Sequence, residues 1–290
     1  MRSICLYFCA ELTMLPAHLP SAHPSMPILI SPDSFTHIYF ADVFGADKAN
    51  RNPVVCTPFS LSAGDLKARR FDLDGQFFEI TPSATGLPTM RDKDVWLYCV
   101  SWLANAMFDE RHEDLSRNLR FTAREFLDFS KRGNGGAQYD GLVQALDRLA
   151  GSKITTNIPP PAETKESGDS FNLIRYEAEL DRDGCIDAVN IELPERLYHF
   201  ATDWTHVCAM HPDYFMLTPL HRLIYILAKI HCGVWKPWAV PLNELHRLTG
   251  CSSPFRNFKI SVQGLLKDNS IPEYRVEMDA QKVTATFYRK

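Results

Sequence analysis

Four side chains near the C-terminus, Arg256, Lys259, Gln263 and Lys267, recur at spacings of three and four in PFRNFKISVQGLLKD. That spacing lines them along one face of a helix, with Phe255, Phe258, Val262 and Leu265 forming the core stripe opposite. Arginine and lysine pair with guanine edges or phosphates, and glutamine and asparagine with adenine. The face therefore suits recognition of a duplex groove rather than covalent chemistry. Ser253 and Asn257 join this candidate set, Ser253 with Pro254 as the helix cap. A second set lies in KRGNGGAQYDGLVQALDRLAG. Asn134, Gln138, Gln144 and Arg148 face away from Leu142, Ala145, Leu146 and Leu149, and Lys131 and Arg132 sit in the preceding turn. Gly133, Gly135 and Gly136 would let backbone amides approach phosphates closely. Lys153, Arg175, Lys282 and Arg289, expected on the wing strands that follow these helices, are candidates for phosphate contact. One polar helix face is more often solvated surface than a reader. Two such faces at matching positions of a repeated pattern favour the reader.

Patterns that would carry catalysis fail on spacing. No G-x-x-x-x-G-K-[ST] occurs, so GNGGAQ is not a nucleotide cradle. No His-x-His pair stands ready to hold a metal beside a strand-nicking tyrosine, and Tyr139 reads as packing. His199, His206, Cys208 and His211 come together in HFATDWTHVCAMH without a zinc spacing; His206 and Cys208 would share one face of a strand. His231 suits a helix end, and Asp181 and Asp183 suit a turn. The expectation is no catalytic residue, no metal site and no cofactor.

The elements that must position the two polar faces are legible in outline. RRFDLDGQFFEITP alternates about Asp74-Gly75, a hairpin turn signal. Thr89 precedes a long helical pattern with Val95, Cys99, Trp102 and Ala106 on one stripe. Thr122 and Glu125 form a capping box opening a short helix with Phe126, Leu127 and Phe129. The first polar helix follows and Gly151 is placed to end it; KITTNI then reads as a strand, residues 159–170 as a solvated loop, and two strands return around Asp183-Gly184. That order, three helices then strands, is the order of a winged helix. The second half repeats it: Thr218-Pro219 opens LHRLIYILAKIHC, PLNELHRL is closed by Gly250, the C-terminal polar helix follows, and residues 274–289 alternate as a hairpin.

Composition is consistent with this reading. A chain of 290 residues, 45% hydrophobic and 23% charged, suits two globular domains. Its formal net charge of −4 argues only weakly against a nucleic-acid partner, because a local basic patch is what matters. Eight cysteines without a Cys-x-x-Cys pair read as reduced, buried thiols of a cytoplasmic protein. Arg2 before ICLYFCA resembles a signal peptide, but Glu11 interrupts the apolar run, and Met14 and Met26 offer other starts. Residues 1–34 are therefore read as an extension, disordered or with a misassigned start. No later segment has the apolar length to span a bilayer.

Several segments together resemble the plasmid replication initiator protein A family: FFEITPSATGLPTMRDKDVWLYCVSWL, RFTAREFLDFSKRGNGGAQYDGLVQALDRLAGSKITTNI, DYFMLTPLHRLIYILAKIHCG and GCSSPFRNFKISVQGLLKDNSIPEYRV. The likeness runs from about Phe35 to the C-terminus. It implies a plasmid-encoded, non-enzymatic protein that binds repeated sites in the duplex DNA of a plasmid origin. Such a protein aids melting of adjacent A·T-rich DNA and recruits the host initiator and replicative helicase. By analogy with other tandem winged-helix initiators, a homodimer would repress its own promoter while a monomer acts at the origin. The expected fold is α+β: two tandem winged-helix domains, residues 35–193 with an N-terminal β-hairpin and residues 194–290. Their third helices would enter successive major grooves about one turn apart. A winged-helix repressor and a protein-binding scaffold are the rival expectations.

Overall fold

A computed structural model describes residues 28–29, 38–41, 57–73, 75–111, 115–159, 170–203, 207–233, 236–268, 270–281 and 283–290. The described residues form a mixed α/β structure of seven α-helices and mainly antiparallel sheets. They divide into two compact units, one ending at Met210 and the other continuing from His211. None of their helices is long and apolar enough to cross a membrane.

The first unit runs β1 (Ile28–Leu29), β2 (Ile38–Ala41), β3 (Arg69–Leu73), β4 (Gln76–Thr81), α1 (Lys93–Phe108), β5 (Asn118–Thr122), α2 (Ala123–Phe129) and α3 (Gly136–Gly151). It continues with β6 (Lys153–Thr156), β7 (Ser170–Asn172), β8 (Arg175–Leu180), β9 (Ile186–Glu192), α4 (Glu195–Ala201) and β10 (Val207–Met210). The hairpin at Gly75 forms as its alternation requires: Leu73 pairs with Gln76, and Gly75 takes the left-handed φ of +84° that the turn demands. Asp74 and the segment 1–27 lie outside the described residues.

α1 is buried all round, not along one stripe. Val95, Tyr98, Cys99, Trp102 and Ala106 are at most 2% exposed, but so are Asp94, Ser101 and Asn105 on the other faces. α2, α4 and β2 all pack against it, and a helix covered on every side no longer shows a polar face. Tyr98 reaches Phe121, Phe126 and Phe129 at ring-centroid distances of 4.7, 6.0 and 5.0 Å. Each such pair contributes about 0.5–1.5 kcal/mol beyond area burial. The capping box is present: the Thr122 Oγ1 accepts from the Glu125 amide at 3.2 Å and Glu125 Oε2 from the Thr122 amide at 2.7 Å.

Two sheets flank this core. One has the order β1-β5-β9-β8, so the β8–β9 hairpin pairs through β9 with β5, the short strand between α1 and α2. The other has the order β3-β4-β6-β7. KITT is therefore a strand, as its β-branched residues require, but it extends the N-terminal hairpin instead of the wing. Gly151 also differs from expectation. It remains helical, and a Cβ there would lie 2.7 Å from the Ser83 Cβ, so its smallness admits a close approach rather than a left-handed cap. α4 and β10, expected in the second domain, fall in the first unit, where β10 pairs with β2 and α4 packs on α1.

The second unit contains α5 (Pro219–His231), β11 (Trp238–Pro241), α6 (Leu242–Thr249), α7 (Phe255–Asp268), β12 (Tyr274–Met278) and β13 (Thr284–Arg289). Thr218 caps α5 by accepting from the His221 amide, with Pro219 in the first turn. Gly250 ends α6 at φ 58°, ψ 24°, the left-handed cap that glycine adopts without strain. The sheet order is β11-β13-β12. Leaving aside β6 and β7, which join the N-terminal hairpin, each unit runs helix, strand, helix, helix, strand, strand, and those three strands are ordered first, third, second.

Candidate nucleic-acid interface

α7 is seated by its own apolar stripe and by α6. Phe258, Val262 and Leu265 are at most 1% exposed, against Leu242 and Leu245 of α6 at 0%. Phe255 was expected in that stripe but, in the first turn of α7, is 43% exposed. The Phe255 ring instead meets His246 at 5.7 Å and Phe258 at 6.4 Å. His246 Nε2 donates to the Ser253 carbonyl at 2.9 Å, which fixes the turn entering α7. From α5, His221 Nε2 lies 3.2 Å from Ser261 Oγ. Burial lowers His221 from the ordinary histidine value, which favours the neutral imidazole.

These contacts leave the opposite face open. Ser253, Arg256 and Asn257 are exposed, Lys259 and Gln263 partly so, and Lys267 falls within the last turn. From Ser253 to Lys267 the sequence has no acidic residue. Among the described residues no carboxylate pairs with Arg256 or Lys259. Ile260, unremarked in the sequence, sits on this same face at 58% exposure.

The matching helix differs. α3 buries Leu142, Ala145, Leu146 and Leu149 as its spacing requires, but its exposed stripe is Ala137, Asp140, Gln144 and Asp147. Gln144 thus stands between two carboxylates, and Asp147 Oδ1 accepts from the Tyr176 hydroxyl at 2.6 Å. The open end of α3 is its start. Lys131, at φ 54°, Gly133, at φ 73°, Asn134, Gly135 and Gly136 are exposed, with Gln138 partly so. No atom lies within 4 Å of where a Cβ would stand on any of the three glycines.

Two arginines expected to read DNA are committed within the fold. Arg148 grips Asp92 through Nε at 2.7 Å and a terminal nitrogen at 2.9 Å, with side-chain exposures of 11% and 3%. Arg132 binds Asp94 at 2.8 Å, with exposures of 10% and 0%, and lies over the Phe126 ring. Both carboxylates belong to the start of α1, where Thr89 and Asp92 cap one another: Asp92 Oδ2 accepts from the Thr89 amide and Thr89 Oγ1 from the Asp92 amide. The two ion pairs clamp α3 and its preceding turn onto α1. Both guanidiniums, expected to face DNA, are here engaged with these carboxylates.

The flanking strands are mixed. Lys153 is exposed on β6, in the sheet of the N-terminal hairpin rather than in the wing. Arg175 is on β8, 3.4 Å from Glu192. Arg120 of β5 and then Asn190 of β9 hold the Glu179 carboxyl down to about 2, so β8 keeps its negative charge. Arg289 ends β13, and Lys282 lies outside the described residues. No three His, Cys, Asp or Glu side chains among the described residues are grouped to hold a metal. His199 lies 3.8 Å from Glu195, His211 Nδ1 accepts from the Asp213 amide, and His206 is outside the described residues. Of the cysteines among the described residues, Cys99 and Cys232 are buried, Cys208 and Cys251 are half-buried, and Cys185, between β8 and β9, is exposed.

Residues 48–276 match the family model described as Replication initiator protein A. A protein of Wigglesworthia glossinidia brevipalpis, described as a replication protein, is 31% identical over 236 residues, which are 80% of this chain and 85% of that one. Two crystal structures of domains 2 and 3 of RctB resemble the fold, with TM-scores of 0.55 and 0.57 at 13% and 11% identity. Each match covers 79% of this chain, and 92% and 93% of the respective RctB chains. At those identities the likeness is one of fold.

Proposed function

Because the chain belongs to the replication initiator protein A family, we propose that it starts plasmid replication by binding sequence repeats in the duplex DNA of its origin, through two winged helices. The observation that carries the reading is the outward face of α7. It is basic and amide-bearing, without a carboxylate, and set on a core-anchored third helix. In a helix-turn-helix that element enters the major groove while the helix before it crosses the backbone. The shared strand order of the two units, first–third–second, supports the winged form, with β8–β9 and β12–β13 as wings.

The units contribute unequally. Arg256, Asn257, Lys259, Gln263 and Lys267 read base edges or hold phosphates from α7, with Ser253 at its entry. In the first unit the two aspartates beside Gln144 would repel a groove, so Lys131, Asn134 and the amides of Gly133, Gly135 and Gly136 meet phosphate at the start of α3. Arg289 and Lys282 serve the second wing, while Lys153 and Arg175 are peripheral. Bound at repeats, the protein helps open adjacent A·T-rich DNA and presents a surface to the host initiator and helicase. The chemistry required is binding and deformation, not bond cleavage.

The test supplies the full chain in trans to cells transformed with the DNA flanking its gene on a non-replicating marker. Wild type should maintain that fragment, and a variant combining Arg256→Ala, Asn257→Ala and Lys259→Ala should not, while remaining folded. Failure of wild type to maintain any flanking fragment despite tight binding to it would make the protein a repressor.

A further inference from the structure

Among the described side chains on the outward face of α7, Ile260 is the one that cannot form a hydrogen bond. It is 58% exposed. Single apolar residues on a surface need no explanation, but the neighbours of this one are specific. One turn before it stand Arg256 and Asn257; one turn after it stand Gln263 and Gly264, then Lys267. An apolar group is therefore framed by side chains that suit guanine, adenine and phosphate. Gly264 adds a second observation. It lies inside the helix, where glycine costs stability, yet nothing is within 4 Å of where its Cβ would stand. Among the described residues its smallness serves no tertiary contact. It leaves clearance beside Ile260 for a partner to come close.

The major groove offers one apolar group at a base edge, the C5 methyl of thymine. Resting on the reading of α7 as the groove-entering helix, we infer that Ile260 is a specificity-determining residue that packs on a thymine methyl. It selects an A·T pair beside the bases read by Arg256, Asn257 and Gln263. The absence of any acidic residue from Ser253 to Lys267 favours an anionic duplex over a protein surface as the occupant.

The experiment selects duplexes from a random pool with the full-length chain. It then replaces each thymine of the enriched site by deoxyuridine, which removes only the methyl. Wild type should lose about 3- to 5-fold in affinity at one thymine, the value of burying one methyl group. Ile260→Ala should bind the thymine and uracil duplexes alike, and should enrich sites without a fixed base at that position. If wild type binds an enriched site tightly but no uracil substitution matters, or Ile260→Ala keeps the full discrimination, the inference is overturned while duplex reading stands. Should Ile260→Ala instead shift self-association in sedimentation with the uracil response unchanged, Ile260 belongs to a protein contact. If the wild-type chain enriches no sequence and binds no duplex in a salt-dependent way, the reading of α7 itself fails.

Discussion

The sharpest division among the arginines is between those facing solvent and those facing aspartate. Arg256 is exposed and without a carboxylate, so Arg256→Ala should cost about 1–3 kcal/mol of specific duplex binding if it contacts a base, with stability changed little. Fluorescence anisotropy on a selected duplex, alongside urea denaturation, separates the two quantities. Arg148 should behave oppositely. Its removal strands Asp92, whose side chain is 3% exposed, and breaking a buried pair costs on the order of 3–5 kcal/mol of stability. Urea unfolding of Arg148→Ala should show that loss, and a midpoint equal to wild type would contradict the clamp. Nothing in the sequence distinguishes these arginines. Both stand on the polar side of an amphipathic helix, and the partner of Arg148 is 56 residues away. Ile260 was passed over for the converse reason: an apolar residue on a polar face breaks no periodicity strongly enough to be noticed.

At the scale of elements, helices were easier to read than strands. All three helices of the second repeat, their N-cap at Thr218 and their stop at Gly250 follow from spacing and capping chemistry. β5 and β11 were missed because NLRFT and WAVP are too short for alternation to stand out. KITT was recognised as a strand but assigned to the wrong sheet, because pairing partners are a tertiary choice that β-propensity does not encode. α7 permits two predictions. Gly264→Ala should stabilise the chain by about 0.5–1 kcal/mol, since the helix gains propensity and the new methyl meets nothing. It should also weaken duplex binding by filling the clearance beside Ile260. The second concerns pH. Burial depresses His221, which touches Ser261 of α7, and His231, which lies against Trp238. A depressed histidine contributes stability above its unfolded pKa, near 6.5. That stability is lost as pH falls, because the unfolded chain takes up protons first. Denaturation midpoints should therefore drop between pH 7.5 and 5.5, and His221→Gln should flatten part of that slope.

For the molecule as a whole, the mixture of helices with antiparallel strands was legible, and so was the family resemblance. The unequal electrostatics of the two third helices became clear only when burial was known. Asp140 and Asp147 share a stripe with Gln144 in the same way that Arg256 shares one with Gln263, and only exposure shows which groups a duplex would meet. A net charge of −4 is compatible with DNA binding because the basic face of α7 is local. The cost is salt sensitivity: affinity for duplex should fall linearly on a log–log plot against salt, by about 0.9 per phosphate neutralised. The central claim is that α7 lies in a major groove. Dimethyl sulfate modification of guanine N7, on a duplex selected by the full chain, tests it most directly. Wild type should protect a guanine within the site, and Arg256→Ala should restore its methylation while the protein stays bound at higher concentration. Guanine N7 atoms that stay fully reactive under saturating wild-type protein would contradict it.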